Sequence, residues 1–342
     1  MVTPSQTEAL ARTCRLRRGL RYGPLDREVL DLVVPSQAKP ASWLRTLGEL
    51  WRNDAIPDSE LRAVARAHTT AILYVHGGGW CVPGTDVQFQ QLTPWVRAGH
   101  HVYTMNYPLA PRHRFPTQLV SVLRALCYLR AEMGQTEVVL VGESAGGNLA
   151  SMAAALLANP PLLAEFAADP AVRALVAEDA EPDLASWAMP RCRGFSSWYS
   201  ILDGSSWLKG GGSFLGWELG KNSLFTRGLS YCFEAYESEA FGGRTCLADL
   251  DGPGLKRFPP TQLVVAAHDP TGLSHSSAVA AKLLRRKGVP VEEHRFESTH
   301  GFVAYPPQLQ RLLFGIDADK TQGAANAEIL RFLKKCSCGK TG

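Results

Sequence analysis

VVLVGESAGGNL, residues 138–149, carries three patterns in twelve positions. Residues 138–141 are a short, unbroken apolar run, the signature of a parallel strand buried on both faces. Residues 148–157 are rich in Ala and Leu and apolar all round, as a helix packed into a sheet is. Between the two, Gly142-Glu143-Ser144-Ala145-Gly146 fits G-x-S-x-G. A strand that turns sharply into a helix lifts a serine hydroxyl clear of the sheet. That turn brings neighbouring backbone close, so the positions two before and two after the serine must be glycine-sized. The stretch predicts Ser144 as a nucleophile, with Gly142 and Gly146 making its turn.

On either side the same rhythm repeats. Short β-rich apolar runs fall at 71–75, 102–107, 195–201, 263–267 and 291–296, each bounded by Gly, Pro or polar residues. Residues 28–34 alternate more strongly and are expected at the sheet edge. Helical spacing follows at Leu119, Val122, Leu123, Leu126 and Leu129, and again over 277–286, which Gly288 and Pro290 close. Strands that alternate with helices predict an α/β fold with a mostly parallel, doubly wound sheet. Residues 205–236 break the rhythm with Trp207, Trp217, Phe225 and runs of glycine, and are expected to form a cap over the sheet. The organisation expected is one domain over 1–342: an N-terminal segment 1–24, a core over about 25–204 and 237–335, the cap between them, and a tail at 336–342.

Composition narrows the classes. The chain has 342 residues, 45% of them apolar, enough for a large core, and a net charge of only +4. The basic residues are scattered, and the one cluster, at 12–21, reads as a solvated N-terminal segment, so no nucleic-acid partner is expected. No apolar run reaches the eighteen or so residues of a membrane span, so no stable membrane insertion is expected. The N-terminus has no hydrophobic run of the kind a signal peptide carries. The eight cysteines form neither a CxxC pair nor a zinc spacing, so no metal site is expected; with no signal peptide the expected setting is reducing and cytoplasmic, and a serine nucleophile calls for no metal or cofactor. Oligomeric state is not encoded in any visible pattern.

A nucleophile needs a site for the negative charge it creates. His76-Gly77-Gly78-Gly79-Trp80 directly follows the strand at 71–75. Consecutive glycines let backbone N–H groups approach a carbonyl oxygen without interference from Cβ atoms. Gly78 and Gly79 are the candidate donors, joined by the N–H of Ala145, where the dipole of the nucleophile helix also favours negative charge. His76, Gly77 and Trp80 read as residues that organise this loop. The base should be a late histidine and the acid should precede it, in the order Ser, Asp, His. Of nine histidines, His300 lies just after the last strand, in Thr299-His300-Gly301-Phe302. Asp269-Pro270 follows the strand at 263–267. Its expected task is to orient His300 and stabilise its charged form. Asp203 and Asp251 match it in type but lie at the wrong strand ends.

With HGGGW and GESAGGNL in place, the chain resembles the hormone-sensitive-lipase-like carboxylesterase family of α/β hydrolases. Residues 107–116, YPLAPRHRFP, are similar to that family's Y-R-L-A-P-E-H-x-F-P segment, and the resemblance extends over about 70–305. It implies an α/β-hydrolase fold and a serine hydrolase that cleaves small or medium carboxylic esters through an acyl-enzyme. In the family's H-G-F and D-P-L-x-D segments the histidine and first aspartate match His300 and Asp269. The chain departs from the pattern at Arg112, Thr271 and Leu273, where the family carries Glu, Leu and Asp. These changes touch the contacts that brace the catalytic loops, not the triad itself. Residues 22–35, YGPLDREVLDLVVP, are also similar to the feruloyl-esterase and kynurenine-formamidase branch, which keeps amide or formamide hydrolysis open. A non-catalytic receptor, as in the plant gibberellin receptors of similar sequence, is the reading from another class; those receptors lack the catalytic histidine.

Overall fold

A computed structural model describes residues 14–36, 56–68, 70–84, 89–178, 183–204, 213–214, 217–218, 232, 236, 238–250, 253–269, 271–303 and 318–337. Its sheet is built from β1 (Cys14–Arg21), β2 (Val29–Pro35), β3 (Thr70–Val75), β4 (Val102–Met105), β5 (Glu137–Glu143), β6 (Arg191–Trp198), β9 (Thr261–Ala266) and β10 (Val291–Phe296). The strands lie in the order β1-β2-β4-β3-β5-β6-β9-β10. The first two pairings, β1 with β2 and β2 with β4, are antiparallel, and the other five are parallel. β7 (Ser213–Phe214) and β8 (Trp217–Glu218) form a separate two-stranded pair. The rest of the cap expected at 205–236, apart from Cys232 and Tyr236, lies outside the described residues.

Period-two alternation splits the apolar strands between two cores. Ala71, Leu73 and Val75 of β3 and Val138 and Leu140 of β5 join one apolar cluster, while Ile72, Tyr74, Val139 and Val141 join the other. Strands buried on both faces read as unbroken apolar runs for this reason. The first cluster is covered by α1 (Asp58–Arg66), α3 (Thr117–Ala131), α4 (Ser144–Ala158), α5 (Pro160–Ala168), α6 (Pro170–Glu178) and α7 (Leu273–Arg286). The second is covered by α2 (Phe89–Arg97) and α8 (Ala318–Ser337), through Trp95, Ile329, Phe332 and Leu333. The helices expected around 119–129, 148–157 and 277–286 all form, each extended by a few residues. No single helix among the described residues is long and apolar enough to cross a membrane.

One expectation is overturned. The strand at 28–34 is not the sheet edge, because β1 pairs along its outer side. From Cys14 on, the basic cluster is therefore a paired strand and not a solvated N-terminal segment. Cys14, Leu16 and Leu20 point inward and are buried, while Arg15, Arg17 and Arg18 stay partly in water. A register shift between Arg17 and Leu20 inserts one extra residue, a bulge completed by Gly19 in the left-handed region, φ 69°. That bulge breaks the simple alternation, and the arginines disguise the rest.

Connectivity fixes where a site can be. From β3 the chain first moves outward to β4, then returns across β3 to β5 on its other side. At such a reversal the loops leaving the two neighbouring strands diverge and open a crevice at their carboxyl ends. The two loops here are those after Val75 and Glu143, the glycine loop and the serine turn.

Candidate active site

Ser144 stands at the β5–α4 junction with φ 49°, a left-handed backbone that a serine rarely adopts. Close packing beneath it explains the flanking glycines. A Cβ on Gly146 would collide with the carbonyl oxygens of Val75 and His76, and one on Gly142 would lie 2.5 Å from Gly146 O. The serine turn is thus pressed directly onto the end of β3.

The glycine loop crosses this junction. Gly78 and Gly79 hold φ 101° and 57°. Among the described residues neither of their N–H groups has a hydrogen-bond partner. Ala145 lies in the first turn of α4, where helix geometry leaves the N–H groups without acceptors. A Cβ on Gly77 would lie 3.2 Å from Ser144 Cβ, so the glycine loop runs against the serine turn. His76 is fully buried, donates through Nδ1 to Gly77 O at 2.7 Å and stacks on Tyr107 at 4.2 Å between centroids. Burial lowers its pKa to about 4, so it is a neutral brace of the loop. Trp80, also fully buried, stacks on Tyr236 at 4.0 Å.

His300, in the loop after β10, brings Nε2 to 3.1 Å from Ser144 Oγ and Nδ1 to 2.9 Å from Asp269 Oδ2. An ionised carboxylate only accepts, so Nδ1 carries the proton and Nε2 offers its lone pair to the serine hydroxyl. Asp269, in the loop after β9, has a fully buried side chain; the His300 side chain is 21% exposed. Burial alone would lower the His300 pKa. The charge of Asp269, their hydrogen bond and the charge of Glu143 together outweigh it, and the net shift is upward. Residues 144, 269 and 300 thus converge from three strand ends into one relay. Among the described residues no cluster of three His, Cys, Asp or Glu side chains is arranged to hold a metal ion.

A profile of the family described as alpha/beta hydrolase fold matches residues 72–304. The chain belongs to this family. That membership bears out the likeness to hormone-sensitive-lipase-like members drawn from the motifs. Among relatives of this α/β hydrolase, carboxylesterase NlhH of Mycobacterium tuberculosis is 26% identical over 74% of the chain and 73% of that protein. A putative alpha/beta hydrolase of Acanthamoeba polyphaga mimivirus is 35% identical, but that match spans only 27% of the chain and 28% of the viral protein. Among solved structures, an esterase B from Lactobacillus rhamnosis aligns with a TM-score of 0.60 over 97% of the chain and 91% of that chain, at 15% identity, a likeness of fold.

Three residues of this α/β hydrolase that the motif reading gave no role also touch the site. Glu143, the variable residue of G-x-S-x-G, is buried; its Oε1 accepts the Gly77 N–H at 3.3 Å and its Oε2 the Tyr199 hydroxyl at 2.8 Å. Tyr199, just past β6 with φ 37°, sets its ring edge-on to His300 at 5.0 Å. Thr271 donates to Asp269 Oδ1 from both its N–H, at 2.9 Å, and its hydroxyl, at 2.5 Å. The only signal for the last was its departure from the family pattern.

Proposed function

We propose that the chain hydrolyses small or medium carboxylic esters through an acyl-enzyme on Ser144. The observation that carries this reading is the continuous relay from Ser144 Oγ through His300 to Asp269, at 3.1 and 2.9 Å. Membership of the α/β-hydrolase family and the carboxylesterase among its relatives support the choice of an ester bond.

In the first half, Ser144 Oγ adds to the ester carbonyl carbon while His300 Nε2 takes its proton. The carbonyl π pair moves onto oxygen, which is held by the N–H groups of Gly78, Gly79 and Ala145. Asp269 stabilises the imidazolium and holds its ring in line. The oxyanion collapses, the C–O bond to the alcohol breaks, and the leaving alkoxide takes the proton from His300. In the second half, water attacks the acyl-enzyme, gives its proton to His300, and collapse releases the acid and restores Ser144. Preformed donors matter most at the oxyanion, where losing one typically costs about 10²–10³ in turnover.

The direct test is hydrolysis of p-nitrophenyl acetate by the protein and by Ser144→Ala. The variant should stay folded by thermal melting and lose about 10⁴-fold or more of its turnover. Retained turnover contradicts the reading. An acyl series from acetate to laurate, with N-formylkynurenine alongside, then measures the acyl pocket and separates ester from formamide chemistry.

A further inference from the structure

Asp269 is an anion in a closed place. With its side chain fully buried, both carboxylate oxygens depend on protein donors, because water does not reach them. Oδ2 faces His300 Nδ1. Oδ1 is filled from one residue, Thr271, whose backbone N–H and side-chain hydroxyl both converge on it. Thr271 is itself 1% exposed, so its hydroxyl has no solvent to turn to. Gly272 follows with φ 78° and starts α7, whose first residue, Leu273, is buried in the core. The chain is thereby held on both sides of the acid, by β9 before it and α7 after it.

We propose that Thr271 is a positioning residue: its hydroxyl, together with its N–H, holds Asp269 Oδ1 so that the carboxylate presents only Oδ2 to His300. This deepens the reading of Ser144, His300 and Asp269 as a triad and rests on it. Without the hydroxyl, the backbone N–H is the single anchor on Oδ1, and the carboxylate can follow movements of the His300 ring. The hydroxyl adds a second anchor from another direction and stiffens the carboxylate against that movement. It also draws negative charge toward Oδ1, away from the imidazole. Without the hydroxyl, Asp269 would attract a proton on His300 more strongly and hold the ring less firmly.

The charged groups acting on His300 are Asp269 and Glu143, with Tyr199 presenting its ring edge. The loops after β9 and β10 also carry the exposed His268–Glu297 pair, 2.6 Å apart, and α7 carries His275. A change at 271 leaves all of these in place, so a shift in the acid limb reports on Asp269 itself.

Thr271→Val keeps the shape of the side chain and removes only the donor. Kinetics with p-nitrophenyl acetate from about pH 5 to 9 should show kcat reduced roughly tenfold with KM changed less than about twofold. The acid limb should move up by about half a pH unit. Thr271→Ser, which restores the hydroxyl, should restore both. Thr271→Ala carries the same test should the valine variant fail to fold. Unchanged kcat and acid limb in the folded donor-less variant overturn the proposal. So does a serine variant as impaired as the valine one, which would make the role one of packing. Ser144→Ala is measured in parallel. If it remains active the triad reading itself fails; if it is inactive while Thr271→Val behaves as the parent, only the role of Thr271 fails.

Discussion

Ser144 keeps a backbone conformation that costs of order 1–3 kcal/mol, tolerated because Gly146 lets the end of β3 press against the turn and Gly142 lets the start of α4 fold back over β5. Its partner His300 is tuned by the residues around it. Catalysis needs the neutral imidazole, and the shift caused by Asp269 and Glu143 favours the charged form. The folded pKa therefore lies above the ordinary imidazole value of about 6.5, and kcat/KM should fall as pH drops through a midpoint above that value. In Asp269→Asn the attraction of Asp269 is gone and only Glu143 opposes burial, so the residual activity should titrate at lower pH, with kcat lower by about 10⁴. A pH–rate profile of the two proteins checks both the direction and the loss. At this scale a sequence displays a residue whose role belongs to a local motif. Ser144 and the loop glycines sit in short patterns, and His300 and Asp269 sit at strand ends in the required order. The contacts of Glu143, Tyr199 and Thr271 have no such local signature. Glu143 acts on residues 56 and 66 positions away, and such pairings exist only once strands are aligned. Thr271 acts locally, but a buried Thr and an exposed turn Thr look alike in a sequence.

Among the elements, those with a single chemical character were legible and those with mixed character were not. β3 and β5 announce themselves because both faces are buried. β1 does not, since its outward positions are arginines and its alternation is broken by a bulge. Those arginines reach α1, Arg15 to Glu60 at 2.6 Å and Arg17 to Asp58 at 2.7 Å. Such exposed pairs contribute little each, about 0–1 kcal/mol, so burial of Leu16 and Leu20 carries the strand. α8 is a second case: its buried positions Ala325, Ile329, Phe332, Leu333 and Cys336 are interleaved with charged residues. It packs tightly, since a Cβ on Gly194 of β6 would lie 3.1 Å from the Phe332 ring. Phe332→Ala should therefore destabilise the protein by about 3–5 kcal/mol, read as a lower urea midpoint. An unchanged midpoint would mean that α8 does not close the second core.

For the whole molecule, the alternation of strands and helices points to a mostly parallel, doubly wound sheet, and the strand order sets where the crevice opens. The chain reverses direction across β3, and the carboxyl ends of β3 and β5 place the glycine loop beside Ser144. β9 and β10, at the far side of the sheet, bring Asp269 and His300 back to the same end. The carboxyl end of the sheet thus gathers the glycine loop, Ser144, Asp269 and His300 from four loops, and the proposed function stands on Ser144 Oγ being the atom that attacks. Labelling with an alkyl fluorophosphonate, followed by peptide mapping, reads that atom directly. The expected result is one adduct on Ser144, absent in Ser144→Ala and strongly slowed in His300→Ala. An unlabelled folded protein, or an adduct on another serine, contradicts it.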